Sequence, residues 1–223
     1  SNIGGAVKFI STRPSPDETT GHIKLMVGEQ SSTDVEGSIN LPIGNEWAVR
    51  LFAFTREDDG FMYNPTTDDD SVAGYEESGG RISIAGPLSD NLSLYASLRS
   101  NQYDGPNNNW ALERGTPPNF DYPYINDIET PSNNDKETYG ASLELVWELD
   151  GFDVTSITSY TDTDAKRLTD VDLQPELWLN ARQDETFEAT IQEIRFASNT
   201  SNNLQWQAGL YSSKMEWVER ATT

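Results

Sequence analysis

Hydrophobic and polar residues alternate along most of this chain, and the pattern is clearest in residues 139–160. Two alternating segments flank the dipeptide Asp150-Gly151 there. A side-chain period of two is that of a β-strand, and Asp-Gly favours a tight turn because glycine accepts positive φ angles. The stretch is therefore predicted to form a β-hairpin with one polar and one apolar face. The apolar face of its first strand consists of Ala141, Leu143, Leu145, Trp147 and Leu149.

The same alternation predicts about nine strands in total. Short connections at 42–46, 87–91, 150–151 and 199–203 alternate with long ones at 57–74, 102–136 and 162–184. An up-and-down meander places every second connection at the same end, so one end carries short turns and the other carries long loops. That asymmetry is typical of outer-membrane β-barrels. The predicted strands are 21–27, 35–41, 47–56, 75–86, 92–99, 139–149, 152–160, 187–197 and 204–211.

Large aromatic residues lie beside the predicted short turns, namely Trp47, Trp147, Phe152 and Trp206. We interpret them as a periplasmic aromatic girdle, since amphipathic rings gather at membrane interfaces. The alternative is that they fill one end of a protein core. The apolar faces of the strands with the most regular alternation carry no charges. Contact with lipid requires this, because a lysine or arginine at the bilayer midplane costs ~2–4 kcal/mol.

An open sheet of about nine strands cannot lie in lipid by itself. Its edge N–H and C=O groups would lack hydrogen-bond partners, and bacterial barrels close with an even number of strands. The chain also opens on Ser-Asn-Ile-Gly-Gly, with neither a signal peptide nor an initiator methionine. We therefore expect a processed product or a segment of a larger transmembrane barrel.

Composition removes several classes of function. The net charge of −22 disfavours nucleic acid as a partner, because phosphate binding requires a basic surface. The acidity is interpreted as solvated loops, with attraction of cations as the alternative. The absence of cysteine excludes disulfides and thiolate chemistry, and a single histidine disfavours histidine metal sites.

Several motifs together resemble one protein family. Residues 3–14, Ile-Gly-Gly-Ala-Val-Lys-Phe-Ile-Ser-Thr-Arg-Pro, resemble the junction between plug domain and barrel in TonB-dependent outer-membrane receptors. Residues 37–42 and 47–51 look like the first barrel hairpin of that family. Segments 156–160, 192–198 and 206–211 resemble later strands. The resemblance spans nearly the whole chain through the order and spacing of these motifs.

The resemblance implies an antiparallel up-and-down transmembrane β-barrel of about 22 strands around an internal plug. It divides this chain into the end of the plug with its linker, residues 1–19, and the first part of the barrel, residues 20–223. It implies energised import of a scarce nutrient, most often a ferric siderophore and sometimes cobalamin, haem or glycans. The plug body, the energy-coupling motif and the later strands lie outside this chain.

Nothing in the sequence predicts catalysis, so we expect neither an enzyme nor a cofactor. Glu144 and Glu148 lie on the predicted polar face, where a polar wall or a contact to the plug is favoured over acid–base work. The run 68–70, Asp-Asp-Asp, could bind Ca²⁺, but it lacks regular ligand spacing, so no metal site is predicted.

Ligand recognition is predicted for aromatic and arginine residues in the long loops and the upper polar face. Aromatic rings provide stacking surfaces, and arginine pairs with anionic chelates. The alternative is that the rings stabilise loops or contact lipopolysaccharide. The candidates are Arg56, Phe61, Tyr63, Arg99, Tyr103, Trp110, Tyr122, Tyr124 and Trp178.

The expected location is the bacterial outer membrane. The expected partners are a ferric siderophore or other small nutrient, lipid and lipopolysaccharide, the rest of the barrel, and TonB through the missing N-terminal region. A second hypothesis is a soluble or secreted β-sheet module that binds glycans through its aromatic loops.

Overall fold

A computed structural model describes residues 10–107, 125–200 and 204–223. In these ranges the chain forms one sheet whose strands follow one another in chain order, each pairing antiparallel with the next. No helix in the described ranges is long and apolar enough to cross a membrane. The strands are β1 Thr20–Val27, β2 Thr33–Ile43, β3 Trp47–Asn64, β4 Asp69–Ser89, β5 Leu92–Gly105, β6 Asn133–Leu149, β7 Phe152–Asp170, β8 Asn180–Ser198 and β9 Gln207–Thr222.

Strand register places apolar residues in continuous rows on one face. Leu51 on β3 pairs with Ile82, which pairs with Leu98, and that row continues through Ala141 to Tyr160. Because neighbouring residues on a strand point to opposite faces, the adjacent row points the other way. That row contains Phe52, Arg81, Arg99, Gly140 and Thr161. The apolar–polar alternation predicted from the sequence is confirmed.

Within the described ranges, no second layer of structure covers the apolar face. Ile23 is 85% exposed, Leu98 is 59% exposed and Leu210 is 69% exposed. A β-sandwich would bury these side chains beneath another sheet. The fold is therefore the predicted segment of an up-and-down β-barrel, with its apolar face outward and its polar face inward.

The outward face becomes more polar toward β9. Thr158 donates a hydrogen bond to Oε1 of Gln192 at 2.5 Å, and the Gln192 amide nitrogen donates to Ser156 Oγ at 3.1 Å. These outward side chains thus satisfy one another across β7 and β8. Lys214 of β9 pairs with Thr190 of β8 on the same face.

The two ends of the sheet differ in the length of their connections, but less than predicted, because the end with the long connections also has the short connections 28–32 and 65–68. One end, here called the turn end, has tight connections at 44–46, 90–91 and 150–151. Gly151 has a φ of 92°, the conformation that the Asp-Gly turn requires. The opposite end, here called the loop end, includes the long connection 106–132 and the connection 171–179.

The predicted aromatic residues gather at the turn end. The rings of Phe152 and Trp206 have centroids 6.1 Å apart, and Phe152 and Phe196 are 6.5 Å apart. The Trp47 ring lies over Gly86, where any Cβ atom would collide with it. The positions fit an interfacial girdle, whose contact with the membrane stays a prediction.

The predicted long loops at 57–74 and 162–184 were wrong in extent. β3 continues to Asn64, β4 begins at Asp69, β7 continues to Asp170 and β8 begins at Asn180. Beyond the apolar band both faces of the sheet are polar, as where Glu57 pairs with Glu76. Backbone pairing continues there without the alternation of apolar and polar residues that marks a strand in the sequence.

Candidate functional site

The segment before β1 crosses the inward face of the sheet. The Arg13 guanidinium donates to both carboxylate oxygens of Glu144 on β6, at 2.9 and 2.8 Å. It also lies over the Tyr95 ring of β5, 4.6 Å from the ring centroid. Glu144 was expected either to form part of a polar wall or to contact the plug. In the structure it contacts the N-terminal segment through Arg13.

A second attachment holds the same segment against β2. Asn40 is 2% exposed, and its side-chain oxygen accepts the Ser15 N–H at 3.0 Å. Its amide nitrogen donates to the carbonyls of Ser15 and Glu18, both at 2.8 Å. Buried polar groups cost free energy unless they are hydrogen-bonded, so Asn40 fixes the path of the chain into β1.

Arg56 points inward on β3, but its charge is already paired. Its Nη1 lies 3.1 Å from Glu77 Oε2, and its Nε lies 3.4 Å from Asp34 Oδ2. The guanidinium also covers the Phe54 ring at 4.6 Å. This arrangement makes Arg56 a link between β2, β3 and β4, and leaves it little free charge for an anionic ligand.

Arg99 is arranged differently. It pairs directly with Arg81 in the β4–β5 register, and both point inward. Arg99 lies across Gly140, where the missing Cβ gives it space, and its Nη2 lies 3.4 Å from the Thr161 hydroxyl. Neither arginine forms an ion pair within the described ranges. Like charges at directly opposed positions repel, so an anion beside this arginine pair would stabilise it.

An aromatic pair lies above the two arginines on the inward face. Tyr75 of β4 and Tyr103 of β5 stack with ring centroids 6.1 Å apart and an angle of 21° between the rings. The Tyr103 hydroxyl donates to the Pro106 carbonyl at 3.4 Å. Together with Arg99, Tyr103 forms a wall that offers both stacking and positive charge.

The other predicted ligand residues lie away from the Arg81–Arg99 pair, toward the loop end. Phe61 is 49% exposed and Trp178 is 80% exposed. The Tyr63 hydroxyl donates to Asp68 Oδ1 at 3.1 Å, which supports the β3–β4 turn. The structure does not bring these rings to the Arg81–Arg99 pair. The remaining predicted residues lie outside the described ranges: Trp110, Tyr122 and Tyr124.

Residues 125–132, here called the strap, join two hairpins at the loop end. Asn64 donates to the Ile128 carbonyl at 2.7 Å, and the Thr66 hydroxyl donates to Asp127 at 2.8 Å. At its other end, Thr130 accepts a hydrogen bond from the Asn180 amide at 2.7 Å. The strap therefore links the β3–β4 turn to the start of β8.

An acidic cluster lies where the strap meets the connection between β7 and β8. Oxygens of Glu129, Asp170 and Asp172 all lie within 4.8 Å of one another. Asp170 is 2% exposed and lies well beyond Tyr160, outside the apolar band. Burial raises the pKa of Asp170 to about 6, and the neighbouring Glu129 adds to the rise. Among the described residues these carboxylates, rather than those of 68–70, converge closely enough to hold a metal.

Solved structures supply the decisive comparison. The ferric yersiniabactin uptake receptor FyuA from Yersinia pestis matches 95% of this chain with a TM-score of 0.78 and 16% identity. The fold is that of a TonB-dependent receptor barrel segment. P. aeruginosa FpvA, in an iron complex with a heterologous pyoverdine, matches 94% with a TM-score of 0.72 and 11% identity. No family model matches the sequence, and no curated protein does.

The receptor-like sheet is only part of those structures. This chain covers 32% of the FyuA chain and 29% of the FpvA chain. The two matches cover 95% and 94% of this chain. Ligand binding by the inward wall of Arg81, Arg99 and Tyr103 is a prediction, as is binding by the other predicted residues.

Several residues of the inward wall and the acidic cluster were not predicted from the sequence. The alternation that turns Ile82 and Ile84 outward could have placed Arg81 and Tyr75 on the inward face. The opposition of Arg81 to Arg99 also depends on a register shift between Pro87 and Ser89, which the 90–91 turn does not predict. The acidic cluster had only a weak local signal, the spacing Asp170-Val171-Asp172. Glu129 joins that cluster because the strap folds back, which strand periodicity does not predict.

Proposed function

We propose that this chain forms nine strands of a larger outer-membrane barrel that imports a ferric siderophore. The observation that carries the proposal is the match of 95% of this chain to the ferric yersiniabactin uptake receptor FyuA and of 94% to FpvA in its pyoverdine–iron complex. The division into a plug end at 1–19 and barrel at 20–223 is part of the proposal, as is coupling to TonB through a region outside this chain. We assign the chain no catalytic role.

Closure of the barrel is proposed because the sheet has two open edges. Within the described ranges β1 and β9 each pair with only one neighbour. Both strands carry exposed apolar residues, and unpaired backbone groups in hydrocarbon each cost several kcal/mol. Further strands therefore pair with both edges when the sheet is in a membrane. Lipid and lipopolysaccharide then cover the outward face.

The inward wall suits an anionic chelate. Arg81 and Arg99 provide two positive charges without an acidic partner in the described ranges, and Tyr75 and Tyr103 provide stacked rings. Arginine binds carboxylate and hydroxamate-like oxygens through a planar set of donors. Of the predicted ligand residues, Arg99 and Tyr103 are the two that we retain as principal contacts.

A soluble glycan-binding module is the second candidate, and exposed rings such as Trp178 are the observation in its favour. It is disfavoured by the uncovered apolar face, since soluble proteins rarely expose contiguous apolar patches larger than several hundred Å². Membrane fractionation separates the two candidates. The barrel is expected in the outer membrane and requires detergent, whereas the module is expected in the soluble fraction.

Iron uptake by a deletion strain tests the import function. The strain carries the full-length protein as wild type, Arg99→Gln or Arg182→Gln, and is supplied with radiolabelled ferric siderophores or with oligosaccharides. Arg182 is a matched control, because its partner Asp184 lies beside it near the start of β8. Loss of one charged hydrogen bond costs about 1.5–3 kcal/mol, so we expect Arg99→Gln to raise the KM for iron uptake by about tenfold or more, with Arg182→Gln unchanged.

Two results would contradict the import function. One is that the deletion strain takes up iron at the same rate with or without wild type, Arg99→Gln or Arg182→Gln. The other is growth on oligosaccharides that depends on the protein while iron uptake does not.

A further inference from the structure

The acidic cluster has oxygen atoms that no protein donor satisfies. Asp170 Oδ1 accepts the Leu173 N–H at 2.7 Å, but Asp170 Oδ2 is buried without a hydrogen-bond partner. The same is true of Glu129 Oε2. Asp170 itself is only 2% exposed. Buried oxygens of this kind are normally paired, and each exception requires an explanation.

A neutral oxygen ligand lies beside the carboxylates. Asn180 is the register partner of Asp170. Its amide nitrogen donates a hydrogen bond to the hydroxyl of Thr130, the residue after Glu129. The Asn180 side-chain oxygen is also buried without a donor. Two carboxylates of the cluster, and an amide on the strand paired with Asp170, thus carry unpaired oxygens.

Asp172 adds a third carboxylate held in a fixed orientation. Its Oδ2 accepts the Leu179 N–H at 2.6 Å, and its Oδ1 accepts the Gln174 N–H at 3.0 Å. These bonds define the shape of the 171–179 connection and keep the carboxylate near Asp170. Each carboxylate oxygen has a further lone pair, so Asp172 can bind a cation without losing them.

We propose that Glu129, Asp170 and Asp172, together with the Asn180 amide oxygen, form a Ca²⁺ site. Ca²⁺ binds six to eight oxygen ligands in irregular geometry, so waters complete the shell. Mg²⁺ demands near-ideal octahedral geometry, and Zn²⁺ prefers nitrogen and sulfur ligands. The ion joins the strap to the β7–β8 connection and thereby orders the loop end. This proposal does not rest on the import function.

The competing explanation is a proton shared by Glu129 and Asp170. The variant Asp170→Asn separates the two explanations, because an asparagine amide can donate to Glu129 as a protonated aspartic acid does. It also keeps the acceptor for the Leu173 N–H, so the connection is expected to fold. Glu129→Gln provides a second variant. Glu176→Gln is the matched control, because Glu176 is exposed in the same connection and lies outside the cluster.

The experiment is equilibrium dialysis of the full-length protein in detergent against radiolabelled Ca²⁺, after removal of metals with a chelator. We expect wild type and Glu176→Gln to bind one more Ca²⁺ than Asp170→Asn and Glu129→Gln at millimolar Ca²⁺. The affinity loss is expected to be at least about tenfold, the effect of disturbing even an outer-shell partner. An excess of Mg²⁺ should displace little of this ion.

Cleavage by chymotrypsin near the exposed Trp178 provides a second readout. Ca²⁺ should slow cleavage of wild type and of Glu176→Gln, and should leave cleavage of Asp170→Asn unchanged. The proposal is overturned if all four proteins bind equal amounts of Ca²⁺, or if none binds it below about 10 mM, well beyond the weakest extracellular sites. In either case the shared proton explains the cluster.

Discussion

The contact between Arg13 and Glu144 predicts how firmly the N-terminal segment is held against the barrel wall. The Arg13 side chain is 54% exposed and Glu144 is 18% exposed, so solvent screens the pair. We therefore take ~1 kcal/mol for the ion pair, the upper end for exposed pairs. The contact with the Tyr95 ring adds ~0.5–1 kcal/mol.

These magnitudes predict a graded response to substitution. Glu144→Gln removes the charge and keeps the ring contact, so the detached population of the segment should rise about fivefold, the factor for ~1 kcal/mol. Arg13→Gln removes both contacts, and the factor for ~2 kcal/mol is about 30-fold. Glu148→Gln is the control, because Glu148 lies on the same strand and face but is exposed.

Thiol labelling measures the detached population. This chain has no cysteine, so Ser15→Cys adds a single thiol to it. The backbone N–H of residue 15, which Asn40 binds, is retained. If the segment opens and closes faster than the reagent reacts, the labelling rate follows the open fraction. Equal acceleration by Glu148→Gln, or unchanged rates in both Glu144→Gln and Arg13→Gln, would refute the attachment.

Three further predictions concern stability and packing. Asn40→Ala leaves buried polar groups unpaired, so labelling at Ser15→Cys should rise by the equivalent of ~1–3 kcal/mol; an unchanged rate would contradict the role of Asn40. Gly86→Val forces the Trp47 ring aside and should lower the free energy of unfolding in lipid vesicles by ~1–3 kcal/mol. In a Trp47→Ala background that penalty should disappear. Leu143→Arg should lower the free energy of unfolding in lipid vesicles by ~2–4 kcal/mol, whereas Leu143→Met should change it little. Equal effects of the two substitutions would place Leu143 away from lipid.

The sheet was predictable from the sequence because its apolar band has a strict period of two. Leu94, Ala96 and Leu98 alternate with Ser93, Tyr95 and Ser97, and the observed β5 follows that alternation. Tight turns such as Asp150-Gly151 fix the register, since a shift by one residue would exchange the two faces. The faces, the strand order and the turn end all follow from these local rules.

The loop end was less predictable for a physical reason. Outside the apolar band both faces of a strand are solvated, so the pattern of polar residues no longer distinguishes strand from loop. β4 therefore begins at Asp69 instead of 75. The strap depends on contacts between residues distant in the chain, such as Asn64 with Ile128. No sequence period reports such contacts.

The candidate site likewise combines features that local sequence patterns predict with features that depend on neighbouring strands. Arg56 and Arg99 both follow inward registers, which the sequence predicted. Their difference in charge pairing depends on the residues opposite them on the adjacent strands, because Asp34 and Glu77 neutralise Arg56 whereas Arg81 lies opposite Arg99. Sequence alone gave both arginines the same weight, and the register separates them.

The central claim is that the apolar face of this sheet contacts lipid acyl chains. Nitroxide labels at Leu98→Cys and Ser97→Cys, in the full-length protein in bilayers, test it most directly. Leu98 is outward and 59% exposed, and Ser97 is inward and bonded to Ser142. The label at 98 should collide often with oxygen, which concentrates in the bilayer, and rarely with a water-soluble nickel chelate. Equal access of the nickel chelate to positions 97 and 98, or exclusion of both reagents from position 98, would contradict the account.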